Sequence, residues 1–297
     1  FLFFVFVSSC LLVDLKNKWL LEGGLSFNLY GYSFHSSFPV NTSTQHHSFQ
    51  PQWMPKLAVS YQLAALIAWR ASASKGYSPP TLAEIKSSTN EINTALQPEN
   101  GWNYETGLRL RSKNNFIWWD ASIFYYQLKD AIVKRMDNSG QDNFVTAGGT
   151  KQMGIESQLM LQLIAKQEVH FIRGMELSNS FTYNDFHFLN YSIKTTSYSG
   201  NKVTGVPSSI IVSGITIHFP FHGYLYAQHY YASSIFLDDA NTVLSAAYSV
   251  FMLKAGSNIF HNKHLSLDLS GGIDNVMNEK YSLGNDLNAM GGRYYNA

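Results

Sequence analysis

Polar and apolar residues alternate with a period of two along most of this chain, and no other feature constrains its fold as much. Successive side chains of a β-strand point to opposite faces, so strict alternation marks a strand with one wet and one apolar side. Residues 264–273 set His264, Ser266, Asp268 and Ser270 against Leu265, Leu267, Leu269 and Ile273. Residues 56–63 set Lys56, Ala58, Ser60 and Gln62 against Leu57, Val59, Tyr61 and Leu63. In 154–163, Glu156, Gln158 and Gln162 oppose Ile155, Leu159, Leu161 and Leu163. Residues 18–31 gather Trp19, Leu21, Leu25, Phe27 and Leu29 on one side, and 103–111 gather Asn103, Glu105, Arg109 and Arg111. The pattern predicts twelve strands, at about 1–15, 18–33, 55–63, 66–77, 101–112, 115–136, 143–163, 166–187, 207–219, 222–235, 243–256 and 263–274. Helical signals reduce to one possible turn at Thr81–Lys86.

The connections sort by length. Tight ones fall at Lys16-Asn17, Ala64-Ala65, Ser112–Asn114, Ile164–Ala165 and Pro220-Phe221. Long ones fall at Ser33–Met54, Ser78–Asn100, Phe188–Val206 and Asn275–Met290, with shorter ones expected after the sixth and tenth strands. Short turns at one end and long loops at the other describe an antiparallel transmembrane β-barrel of the outer-membrane type. Trp118-Trp119, Tyr125-Tyr126, Tyr230-Tyr231 and Tyr294-Tyr295 fall near strand ends, where such barrels carry aromatic girdles. Charged residues make up 14% of the chain, well under the roughly 25% of a soluble domain, while aromatics reach 15%. That mixture excludes intrinsic disorder. The balance of 21 basic against 20 acidic residues offers no field for nucleic acid. A single cysteine, Cys10, excludes a disulfide framework and a thiolate metal cluster.

Two strands strain the pattern. Residues 222–235 are aromatic on both faces, and Arg173 falls on the side of Val169, Phe171, Met175 and Leu177. A lipid-facing arginine at mid-bilayer costs about 2–4 kcal/mol. Either a bulge near Gly174 shifts the register or Arg173 sits close to an interface. The chain opens at Phe1, where Val7-Ser8-Ser9-Cys10 imitates a lipoprotein cleavage site but reads better as an apolar strand. It stops at Tyr294-Tyr295-Asn296-Ala297, just out of a long loop, so a closing strand is expected beyond it.

A series of short motifs then resembles the TonB-dependent receptors. Ala73–Ile85 resembles their strand-to-loop segment, and Leu96-Gln97-Pro98-Glu99 with Glu105-Thr106-Gly107 resembles their L-x-P-E … E-x-G stretch. Asp120–Tyr126 with Leu128–Val133 is similar to the strand that follows. Asn143-Phe144-Val145, Ala147–Thr150 and Gly154-Ile155-Glu156 resemble N-A-G … G-x-E. Gly272–Tyr281 resembles v-x-N-L-f-d-x-x-Y, with Asp274 and Met277 as departures, and Gly292-Arg293-Tyr294-Tyr295 resembles G-R-x-y. The order and spacing of these pieces over residues 70–295 carry the resemblance.

It implies a barrel of about 22 strands whose lumen holds an N-terminal plug preceded by a TonB box. Residues 1–297 would then be a partial barrel domain, without the plug and the last strand. The implied function is TonB-energised uptake of a scarce bulky solute across the outer membrane of a Gram-negative bacterium, with a ferric siderophore as the leading cargo. The Tyr281–Asp286 segment looks closest to the iron-complex branch. Implied partners are the TonB–ExbB–ExbD complex, acting through the plug, and outer-membrane lipid; no cofactor or nucleic acid is implied. Candidate ligand-binding residues in loops are His46, His47, Trp53, Tyr77 and Trp102. Candidate residues facing the lumen and plug are Glu22, Lys56, Gln62, Arg70, Glu105, Arg109, Asp120, Glu156 and Asp268, for which alternation alone also implies simple hydration.

Other chemistry is weak. His218 with His222, and His261 with His264, flank turns rather than sharing a helix face, so no H-E-x-x-H zinc site arises. Asp238-Asp239 reads as a loop tip, and Asn41-Thr42-Ser43 and Asn190-Tyr191-Ser192 match a glycosylation pattern without meaning in a bacterial outer membrane. No phosphate loop or nucleophile elbow appears, so no enzyme is expected. The competing readings are a small passive channel or barrel enzyme, and a soluble β-rich binding protein, which would carry charge on its outer faces.

Overall fold

The computed structural model describes residues 2–16, 18–35, 44–86, 92–136, 142–146, 148–165, 167, 170–193, 195–220, 222–261, 266–282, 290–291 and 294–296. The Asn41-Thr42-Ser43 triplet, Ala147, His264, the Leu283–Asp286 run and the Gly292-Arg293 pair lie outside them. Twelve long strands follow one another: β1 (Leu2–Leu15), β2 (Trp19–Phe34), β3 (Gln52–Ala64), β4 (Ile67–Ser78), β5 (Glu99–Arg111), β6 (Ile117–Lys129), β7 (Gly149–Ile164), β8 (Gly174–Leu189), β9 (Ser209–His218), β10 (Tyr224–Ala232), β11 (Tyr248–His261) and β12 (Ser266–Asp274). A three-residue β13 (Tyr294–Asn296) completes the path, and Gln45–Ser48 adds to β2. Every strand pairs antiparallel with its sequence neighbours in one continuous sheet. The protein is all-β, as the alternation predicts; one helical turn, Leu82–Ile85, is capped by Thr81 and Glu84.

All connections at one end of the sheet are short: 16–18, 65–66, 112–116, 165–173, 219–223 and 262–265. All those at the other end are long: 35–51, 79–98, 130–148, 190–208, 233–247 and 275–293. The sorting is stricter than the sequence suggests, because the connections after β6 and β10 are long as well. The alternation of 115–136 and 143–163 runs past the true strand ends. Ile132–Met136 leaves the sheet and pairs with Asp142–Thr146 as a hairpin inside the loop. The break is set by Asp130, whose φ of 58° turns the chain out of the sheet. Asn190 after β8 and Asn275 after β12 do the same, with φ of 53° and 52°. Asp and Asn tolerate this left-handed conformation better than bulkier residues, so an Asx residue one step past the strand is the stop signal. Asn275 also clamps its turn: its Nδ2 donates to the Glu279 carbonyl at 2.7 Å, and Glu279 N–H donates to its Oδ1 at 2.8 Å.

The 166–187 segment begins its strand later than expected, at Gly174. Arg173 therefore sits just outside the strand, in a short connection, where its N–H donates to the His218 carbonyl at 2.8 Å. Of the two explanations the sequence allows, proximity to an end is the one observed. The bulges lie elsewhere, at Gln62/Ala64, Gln162/Ile164 and Asn258/Phe260, each beside a short turn.

Because directly paired residues share a face, the register sorts every side chain. One face carries Leu21, Leu25, Leu57, Leu108, Ile123, Ile155, Leu253 and Leu269, most of them substantially exposed. On that face the aromatics form two bands. Trp19 and Tyr61, with ring centres 4.2 Å apart, join Trp69 and Trp119 near the short turns. Phe27 and Trp53 (4.8 Å), Trp102 and Tyr104 (6.1 Å), and Tyr125 lie near the long loops. An apolar stripe between two aromatic bands is the outer surface of a membrane barrel. The other face is polar, and the two aromatic-rich sides of β10 resolve into Tyr224, Tyr226 and Tyr230 on the polar face and Tyr231 on the apolar one. On the polar face, rings from neighbouring strands lie over bare glycines: Tyr126 over Gly101, Phe124 over Gly154, Tyr226 over Gly214 and Tyr224 over Gly256. Such ring-on-glycine pairing repairs the weak point a glycine leaves in a strand.

Candidate functional site

The chemistry of the polar face concentrates on β4, β5 and β6. Arg70, Arg109 and Asp120 come together because Arg109 pairs directly with Asp120, while Arg70 lies two strands away and pairs with Gly107, whose missing side chain opens the space between them. Arg70 Nη2 donates to Asp120 Oδ1 at 2.8 Å and to Glu105 Oε1 at 3.1 Å. Arg109 Nε donates to Asp120 Oδ2 at 2.6 Å. The Asp120 side chain is 11% exposed and Arg109 is 53% exposed, so the carboxylate is the hub and Arg109 the solvent-facing arm. Arg70 Nε is buried with no partner among the described residues. Arg109, Trp118, Asp120, Glu156 and Gln158 rim an open pocket of about 330 Å³. Further along the same face Lys56 Nζ donates to Glu22 Oε1 at 2.7 Å, and Asn258 bonds Asp268 at 2.8 Å.

At the long-loop end, connections fold over the polar face and pack on one another. Tyr30, Tyr32 and Phe49 meet Ile85 and Leu96 of the 79–98 loop, with Ile132 and Phe144 of the 130–148 hairpin against them. Asn93 donates to the Phe144 carbonyl at 2.8 Å, and Glu99 Oε1 accepts from Ile132 N–H at 2.8 Å. A second cluster joins Phe188 and the fully buried Tyr191 to Val133 and Tyr198. The 190–208 and 233–247 loops are locked by polar bonds. Asp239 accepts from Tyr191 Oη and from Thr204 Oγ1, both at 2.6 Å. Asn241 exchanges two bonds with the Lys202 backbone, at 2.7 and 3.0 Å. Asp238 Oδ1 accepts from Thr242 N–H at 2.8 Å and Val243 N–H at 2.9 Å, and its Oδ2 accepts from the Thr242 hydroxyl at 2.5 Å. These bonds, the Thr242 hydroxyl foremost, hold the Asp238 carboxyl below the usual carboxylate range.

Glu22, Lys56, Gln62, Arg70, Glu105, Arg109, Asp120, Glu156 and Asp268 all fall on the polar face by register. The five expected loop residues separate. His46 and His47 lie in Gln45–Ser48, a short strand on β2 inside the first long connection. His46 Nδ1 is 2.7 Å from Ser33 Oγ, and His47 stacks between Tyr32 and Phe49 at 5.1 and 4.8 Å. Trp53, Tyr77 and Trp102 are not in loops: they stand in β3, β4 and β5. Trp53 and Trp102 are exposed on the apolar face, whereas the Tyr77 hydroxyl, at the long-loop end of β4, is buried with no partner among the described residues. Each precedes or follows a long loop, so sequence position alone could not separate loop margin from strand end. Sequence reasoning missed the loop-locking residues Tyr191, Asp239 and Glu99. Glu99 lies within the L-x-P-E motif, but nothing in the sequence marks Ile132 as its partner.

Comparison with known proteins matches residues 11–276 to the family described as TonB dependent receptor-like, beta-barrel. A metal-pseudopaline receptor, CntO, of Pseudomonas aeruginosa (strain UCBPP-PA14) is 24% identical over 154 residues, which is 51% of this chain and 21% of the receptor. Among solved structures, the siderophore receptor PiuA of Acinetobacter baumannii superposes with a TM-score of 0.73 at 20% identity, covering 94% of this chain and 40% of that one. The ferric yersiniabactin uptake receptor FyuA of Yersinia pestis gives 0.71 at 18%, covering 99% and 43%. The copper transporter OprC gives 0.75 at 15%, covering 99% and 47%. The chain thus spans about a fifth of the curated relative's length and less than half of each of these structures. It belongs to the TonB-dependent receptor β-barrel family.

Proposed function

We propose that this chain forms part of the wall and the loop crown of an outer-membrane receptor for TonB-energised uptake of a scarce, bulky solute, with a ferric siderophore as the leading cargo. The family match over residues 11–276 carries this reading. Relatives named for metal-pseudopaline and siderophores support a metal chelate as cargo. In this reading the remainder of the protein supplies the other strands of a barrel of about 22 and the plug inside it. The apolar face with its aromatic bands meets outer-membrane lipid. Glu22, Lys56, Gln62, Arg70, Glu105, Arg109, Asp120, Glu156 and Asp268 face the lumen and hydrogen-bond plug and water. The pocket beside Asp120 is large enough to admit a plug side chain. His46, His47 and Tyr77 stay candidates for ligand contact at the crown, while Trp53 and Trp102 act at the lipid interface. Energy comes from TonB–ExbB–ExbD pulling on the plug.

The test is uptake of radioiron chelates by the source bacterium with and without the gene. Loss of uptake for one chelate, reproduced when TonB is removed, supports the reading. Unchanged uptake for every metal chelate tried would remove the siderophore assignment. An intact outer-membrane protein no larger than the 33.5 kDa of this chain would leave no room for a plug and would sink the receptor reading.

A further inference from the structure

A polar row interrupts the apolar face on β8, β9 and β10. Asn179 pairs with Ser213, and Ser213 with His229, so three polar side chains stand side by side across the strands. Their neighbours on the face are apolar: Leu177, Phe181, Ile211, Ile215 and Ala227. Ser213 is the fifth of the ten residues of β9 and His229 the sixth of the nine of β10, so the row crosses the middle of both strands. Its members are half-buried and bond sideways. Asn179 Nδ2 donates to Ser213 Oγ at 2.9 Å, and His229 Nε2 is 3.3 Å from Ser249 Oγ. The His229 ring stacks on Phe251 with centres 4.5 Å apart. These bonds leave polar capacity unspent: among the described residues, Asn179 Oδ1, the Ser213 hydroxyl proton and His229 Nδ1 have no partner. Ser213 and His229 also border an open groove of about 400 Å³, lined by Leu177, Ile215, Ala227, Phe251, Leu253 and Met277.

Lipid tails offer nothing to an amide, a hydroxyl or an imidazole, and a polar group held in hydrocarbon without a partner is costly. What can meet such groups at the middle of a spanning strand is the surface of another membrane protein, where Ser, Asn and His side chains hydrogen-bond between spanning segments. The row is complementary to itself. It carries an unspent donor beside unspent acceptors, so a two-fold axis brings the donor of one copy to an acceptor of the other. β9 and β10 place no Asp, Glu, Lys or Arg on this face, so two copies meet there without like-charge repulsion. The groove and Met277 at its rim, 69% exposed, give the same face a hole and a knob. We propose that this row and groove are the contact by which two copies of the receptor associate side by side in the outer membrane as an isologous dimer. The proposal rests on the membrane placement given above but not on the cargo.

The experiment uses the full-length protein, cross-linked through Ala227→Cys by a short bismaleimide, first in isolated outer membranes and then in vesicles over a range of protein-to-lipid ratios. Cys10→Ser accompanies it, so no other thiol of this chain reacts. A product of twice the protein's mass is expected, and Leu57→Cys, on the same face at β3, should give none. Each hydrogen bond between spanning segments contributes a factor of about three, and a two-fold axis counts His229 twice. His229→Phe should therefore raise, by about tenfold, the protein-to-lipid ratio at which half of the protein cross-links. His229→Gln, which keeps a donor and an acceptor, should leave that ratio unaltered. Folding is checked by heat-modifiable gel mobility; if His229→Phe misfolds, Ser213→Ala carries the same test. Monomer at every ratio, equal cross-linking of Leu57→Cys, an unchanged ratio for the folded variant, or a product joined to a different protein would each overturn the dimer. Recovery of the protein outside the outer membrane would overturn the receptor reading, and the dimer with it, whereas a monomer within the membrane overturns the dimer alone.

Discussion

Replacing Asp120 by Asn tests whether the polar face is held by its charge network or merely hydrated. The carboxylate accepts from both Arg70 and Arg109 and is 11% exposed. A hydrogen bond to a charged group contributes about 1.5–3 kcal/mol, and breaking a buried pair costs about 3–5 kcal/mol. Both figures must be reduced here. Arg70 is 33% exposed and keeps Glu105, and Arg109 is 53% exposed and recovers water. The expected loss is about 2 kcal/mol, of which the larger part belongs to Arg70. Reversible urea unfolding of the full-length protein in lipid vesicles gives the number, and a double-mutant cycle divides it. Coupling of Asp120 with Arg70 should exceed its coupling with Arg109 by about 1 kcal/mol. A loss under about 0.5 kcal/mol, or equal couplings, would refute the view of Asp120 as a shielded hub.

Three further outcomes follow from the same geometry. Leu57→Arg, in the middle of the apolar stripe, should cost about 2–4 kcal/mol in vesicles, whereas Trp53→Arg, at the band, should cost about 0–1 kcal/mol from charge alone; unfolding titrations of the two variants should therefore differ clearly. Gly154→Ala would set a methyl group 2.5 Å from the Phe124 ring and against the Tyr183 carbonyl, so a loss of about 1–3 kcal/mol is expected in the same assay. Asp238 has its folded pKa lowered, so its contribution to the 233–247 loop is complete above the ordinary aspartate range and is lost as pH falls through the depressed folded value. The Thr242 and Val243 amide resonances should shift together on that acid limb, and the Asp238→Asn variant should show no such titration.

Strand existence was legible because a membrane barrel inverts the usual economy of folding: the apolar side faces lipid and the polar side faces water, so each strand must alternate cleanly along its length. That is why Glu22, Arg70 and Asp268 could be assigned to one face from parity alone. Strand ends were harder. Alternation continues through Ile132–Met136 although those residues have left the sheet, because a loop hairpin obeys the same period. The boundary is written in the backbone of Asp130, Asn190 and Asn275, which take positive φ, and Asx residues elsewhere in the chain look alike in sequence. Trp53, Tyr77 and Trp102 stand in strands and not in loops for a related reason: an aromatic at a loop margin reads the same in sequence whether it closes a strand or opens the loop. The contacts within the crown were not legible, since Tyr191 meets Asp239 across 48 residues without any local pattern.

The locked pair of loops has an evolutionary consequence. Tyr191, Thr204 and Lys202 in one loop are matched to Asp239 and Asn241 in the next. A substitution on either side is therefore judged against the other, and the two segments are expected to drift as one unit. Exchanging a single loop between homologues would strand its partner's polar groups, whereas transplanting residues 190–247 together, with β9 and β10 between them, carries the matched set intact.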